Sequence, residues 1–106
     1  MRCHLPKPFV FAMHPAFLEV VQALLHQHAP LHTAFAFGSR VVGSAQDRAR
    51  VNPHSDLDSA LTGTPLPLEQ MFSLREAFSE SDLPMRVDIV DMRDLPEGWK
   101  IRSWPL

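Results

Sequence analysis

Two short apolar runs, each interrupted by acid, constrain this chain most: Ser55-Asp56-Leu57-Asp58 and Val87-Asp88-Ile89-Val90. Apolar and β-branched residues bounded by turn residues favour extended strands. Side chains alternate along a strand, so Asp56 and Asp58 project from one face while Leu57 takes the other. In the second run Asp88 shares a face with Val90, and Val87, Ile89 and Asp91 take the opposite one. Asp88 lies within the apolar run, whereas Asp91 stands at its end, where strands exit to solvent. Asp88 is therefore assigned to the site and Asp91 to a turn. Like charges this close are costly in a poorly solvated site unless a cation lies between them, and magnesium binds carboxylates together with substrate phosphates.

The remaining elements follow from periodicity and turn chemistry. Phe17, Val20, Val21, Leu24 and Leu25 recur at helical spacing, with Pro15 in the first turn and Pro30 beyond the end, so a helix is expected over 15–28. Thr33 to Phe37 is a short buried strand that runs into Gly38. Gly38-Ser39 is expected to open a short helix carrying Arg40, Val41 and Val42. Such a helix start offers free N–H groups and a positive dipole end to phosphate, and glycine lets the backbone approach closely. A plain N-cap role for Ser39 is the structural alternative. Residues 43–54 are polar without an apolar period and are expected to be a loop. Asp56 to Leu61 and Arg86 to Val90 form the other two strands, separated by an amphipathic helix with Leu68, Met71, Leu74 and Phe78 on one face. In the tail, Trp99 and Trp104 are expected to cap the core, with a place on a partner surface as the alternative.

Gly38-Ser39, Ser55-Asp56-Leu57-Asp58 and Val87-Asp88, in that order, resemble the DNA polymerase β-type nucleotidyltransferase superfamily, and most of all its minimal members, which pair with helical HEPN-family proteins. The resemblance spans residues 14–95. It implies an α+β fold with a small mixed β-sheet and flanking helices, and transfer of AMP from ATP to a hydroxyl acceptor on a HEPN-type toxin partner. It also implies two magnesium ions on Asp56, Asp58 and Asp88, with Gly38 and Ser39 holding the nucleotide phosphates; Arg40, one residue past that turn, is placed with them as a phosphate ligand by its position, with a carboxylate as its alternative partner. A rival from another class is a non-catalytic, antitoxin-like subunit that neutralises a HEPN-type ribonuclease by covering it. The chain departs from the family pattern at Ser59, where an apolar residue is usual, and in a longer 43–55 stretch. Ser59 has the parity of Leu57, so it is expected to face away from the carboxylates and to affect packing rather than chemistry.

A chain of 106 residues suits one domain, and a net charge of −2 lacks the basic footprint of a nucleic-acid binder. The sole cysteine, Cys3, excludes an internal disulfide and fits a reducing cytoplasm. No apolar window approaches membrane-span length. The apolar run from Phe9 to Met13 is too short for a signal peptide. Residues 1–13 are expected to be an extension, with Met13 a candidate natural start and 14–106 the domain; a homo-oligomer is compatible with the tail tryptophans. Gly38 and Gly43 have P-loop spacing, but Ser44 stands where the lysine is required. His26 and His28 point different ways on a helix and do not make a zinc site with His32. His54 is read as a surface histidine. Arg86 suits a phosphate clamp or a carboxylate partner equally.

Overall fold

The computed structural model describes residues 9–106. Cys3 lies outside the described residues. A central sheet of four strands has the order β5-β4-β2-β6, formed by β2 (Thr33–Phe37), β4 (Leu57–Thr62), β5 (Val87–Asp91) and β6 (Ser103–Pro105). The strand β2 pairs antiparallel with both β4 and β6, whereas β4 and β5 are parallel. A parallel pair needs a crossover, and α3 (Leu68–Ser79) provides it. The fold is the α+β, polymerase β-type arrangement with a small mixed sheet.

Alternation divides the sheet into two faces. Ala34, Ala36, Leu57, Leu61, Val87 and Ile89 face the core with Val21 and Leu25 of α1 (Pro15–His28) and Met71, Leu74 and Phe78 of α3. Phe35, Phe37, Asp58, Ala60 and Asp88 occupy the opposite face by parity and register. The buried stripe of α3 is the one its spacing predicts. Ser59 is fully buried and faces away from the carboxylates as its parity predicts; among the described residues its hydroxyl has no hydrogen-bond partner, an unusual state for a buried polar group and a cost to packing.

Besides β6, the structure adds two short strands and one α-helix that periodicity did not reveal. A two-residue strand β1 (Val10–Phe11) pairs antiparallel with β3 (Val41–Val42), and Phe11 and Ala12 are buried. These residues precede Met13, on the stretch expected to be an extension. Val41 and Val42 thus belong to a strand and not to a helix opened by Gly38; only one 3₁₀ turn, Gly38–Arg40, separates β2 from β3. Within the expected loop, α2 (Ala45–Arg50) forms with Ser44 accepting from the Asp47 amide. No residue of α2 is buried, so it carries no hydrophobic period; its cap and helix-forming residues hold it together.

The tail returns as the edge strand β6. Trp104 stacks on Phe11 with ring centres 6.2 Å apart, and Trp99 meets Phe35 and Phe37 edge-on at 6.1 and 6.0 Å. Trp104 therefore caps the core as expected, whereas Trp99 covers the aromatic face of the sheet opposite the core. Among the described residues no helix is long and apolar enough to cross a membrane.

Candidate active site

The pairing register builds the site. Asp58 lies opposite Asp88 across the parallel β4–β5 pair and opposite Phe37 across the antiparallel β2–β4 pair. Laterally paired residues of adjacent strands point to the same face, so Asp58 and Asp88 stand side by side. Asp56 precedes β4 by one residue and is exposed, with Asp58 and Asp88 half-buried. Because Gly38 follows Phe37 directly, the turn comes up against Asp58. A Cβ placed on Gly38 would lie 2.7 Å from Asp58 Oδ2, and the residue has φ +79°. Glycine is thus required for both space and backbone.

Gly38→Ala should therefore displace the Asp58 carboxylate as well as strain the turn. The strain at positive φ costs about 1–3 kcal/mol. Thermal melting should register that loss, together with a fall in activity larger than the fall in folded fraction.

Electrostatics follow from this crowding. Burial, then Asp88, then Asp56 push the Asp58 pKa above the ordinary carboxylate value, while Arg86 pulls it back. Arg86 bridges two of the acids, its Nη2 donating to Asp56 Oδ2 at 3.0 Å and to Asp88 Oδ2 at 3.4 Å. Asp56 and then Asp88 raise the Arg86 pKa in return. Of the two roles open to Arg86, the structure displays the carboxylate pairing. Asp91 accepts from the backbone amide of Arg93 and from its guanidinium, so it serves the turn after β5; the amide bond is the main cause of its lowered pKa.

Arg40, placed with the phosphate ligands by its sequence position, has backbone partners in the structure. Only 3% exposed, it donates from Nη1 to the Ala12 carbonyl at 2.6 Å and from Nη2 to the Pro53 and Ser55 carbonyls, each at 2.8 Å. Its Nε also donates to Ser55, at 3.0 Å. Desolvation lowers its pKa and Asp56 opposes this. With its guanidinium committed to three carbonyls, Arg40 fastens the loop that delivers Asp56 to the segment after β1. Its position right after Gly38-Ser39 suggested a ligand role, and no sequence signal marks the distant carbonyls it binds.

His54 is likewise structural, its Nδ1 bonded to the Pro84 carbonyl at 2.9 Å. His32 bonds through Nε2 to the Thr64 carbonyl, away from the acids. A groove of about 760 Å³ opens beside β5 and α3, lined by Asp58, Asp88, Arg75, Arg86, Phe78 and Met85 among others. Another cavity, about 400 Å³, lies at the opposite end of β2 and β4 near His26 and His32 and touches none of the three acids.

The donor set fits a hard divalent cation: oxygen ligands only, of like charge, beside a glycine turn that accommodates no Cβ. Among the described residues, however, no three acidic, histidine or cysteine side chains are already gathered closely enough to hold a metal ion. The carboxylates must turn towards one another to do so.

No family model matches the chain. It is 43% identical over 84 residues to "Probable protein adenylyltransferase MntA" of Haemophilus influenzae (strain ATCC 51907 / DSM 11121 / KW20 / Rd), covering 78% of this chain and 68% of that protein. The chain belongs to the minimal nucleotidyltransferase family. For a minimal nucleotidyltransferase the small mixed sheet with flanking helices is the arrangement the sequence resemblance implied.

Proposed function

We propose that this minimal nucleotidyltransferase transfers AMP from ATP to a hydroxyl group on a protein acceptor, a helical HEPN-type partner. The observation that carries the proposal is the juxtaposition of Asp58 and Asp88 at one register position, with the exposed Gly38–Ser39 turn against Asp58. The printed name of the Haemophilus relative supports a protein as acceptor. Leu68 and Phe72, one turn apart and both exposed on α3, support contact with a partner.

In this reaction the acceptor oxygen attacks the α-phosphorus of ATP, the bond to the β-bridging oxygen breaks, and pyrophosphate leaves. Two magnesium ions on Asp56, Asp58 and Asp88 would neutralise the triphosphate and lower the proton affinity of the acceptor hydroxyl. The chain's own contribution is positioning. Gly38 and Ser39 hold the phosphates on one side of Asp58. Asp88, on the outer strand of the sheet beside the groove, takes the proton from the attacking hydroxyl. Arg40 acts at one remove, by holding Ser55 and so the start of β4.

The test is parallel incubation of the chain and its partner with ATP labelled in the α or the γ phosphate. Adenylyl transfer labels the partner from α-labelled ATP alone. Label from the γ position, or neutralisation of the partner by an Asp56/Asp58 double variant with no labelling at all, contradicts it; the latter outcome supports the covering subunit.

A further inference from the structure

Among the described residues, the guanidinium of Arg86 forms the ion pairs made by Asp56 and Asp88. Arg86 precedes Asp88 by two residues and reaches across to Asp56, which enters from the loop before β4. Its side chain is 72% exposed, and among the described residues its hydrogen bonds go to these two carboxylates. Arg75 provides the contrast: it lines the same groove, yet its Nη2 donates to the Ile89 carbonyl at 2.9 Å and is tied to backbone.

We infer that Arg86 is a displaceable counter-ion, which neutralises Asp56 and Asp88 in the metal-free protein and must leave before a divalent cation can use those oxygens. The inference rests on the metal-binding role proposed above for the three acids. Exposed ion pairs are weak and their side chains exchange readily, so a divalent ion can outcompete one guanidinium. The same contact explains why no three of the acids are already gathered around a common point: Asp56 and Asp88 turn to Arg86 instead. Arg86 is thus a positioning residue that sets the metal concentration at which the site assembles.

Manganese titration without nucleotide, on wild type, Arg86→Gln and Arg75→Gln, tests this. Arg86→Gln should bind manganese about three- to tenfold more tightly, the range expected for losing two exposed ion pairs. Arg75→Gln should differ from wild type by about twofold or less, because it removes the same charge without touching a carboxylate. Melting gives a second readout through linkage. In EDTA, Arg86→Gln should melt below wild type, and in saturating manganese the difference should vanish.

Unchanged or weaker manganese binding by Arg86→Gln overturns the inference. An equal gain in Arg75→Gln would reduce it to diffuse charge, and a melting deficit that persists in manganese would make Arg86 merely structural; either result also overturns it. If wild type binds no manganese, the metal site itself fails. If wild type binds but Arg86→Gln shows no gain, the counter-ion role alone fails.

Discussion

Asp58→Asn should lower adenylyl transfer by about 10³-fold or more while raising the stability of the metal-free protein. The first effect follows from removing the central carboxylate, since each factor of ten is about 1.4 kcal/mol of transition-state stabilisation and preorganised charge supplies several such factors. The second follows from the raised pKa of Asp58. A carboxyl that holds its proton more tightly when folded than when unfolded makes the folded state lose stability as pH climbs from the ordinary aspartate range through the raised folded value. Asparagine has no such titration. The melting advantage of the variant in EDTA should therefore open across that interval and stay level above it. Steady-state transfer assays and a melting series in pH check the two halves. A variant that lost activity and stability together would point to a packing role for Asp58.

Arg40→Met should be strongly destabilising, more so than Gly38→Ala, at about 3–5 kcal/mol. A charged donor to three carbonyls is lost and those oxygens remain partly buried. Domains of this size are stable by only about 5–15 kcal/mol in total. The loss is local in origin: Ala12 after β1 and the Pro53–Ser55 loop are no longer joined. Denaturant unfolding should show the midpoint falling sharply. Activity should fall even under conditions where the variant remains folded, because Ser55 precedes Asp56. A clamp acting on phosphate would give the reverse pattern, with near-normal stability and a raised KM for ATP.

The contrast between Asp58 and Arg40 explains how much of the molecule was legible beforehand. Period-two alternation fixes facing without any tertiary information, so the Asp56–Leu57–Asp58 split and the choice of Asp88 over Asp91 could be made from spacing alone. Helices α1 and α3 were equally visible because each buries a stripe. Elements stabilised by other means were not. The helix α2 buries nothing, β1 and β3 are two residues each, and β6 holds a proline at its end and shows no clear alternation. Arg40 shows a related limit: adjacency in sequence to a glycine turn suggests a phosphate ligand, whereas the partners it has in the structure are carbonyls 13 to 28 residues away. The Arg86 bridge was open between two roles because strand parity places a side chain on a face without saying which neighbour it meets.

Crystals grown with manganese and a non-hydrolysable ATP analogue offer the most direct test of the catalytic account. Anomalous scattering should peak between Asp56, Asp58 and Asp88, with the analogue's phosphates against Gly38 and Ser39 and the Arg86 side chain turned away. Nucleotide bound with no anomalous peak, and Arg86 still joined to Asp56 and Asp88, would contradict it.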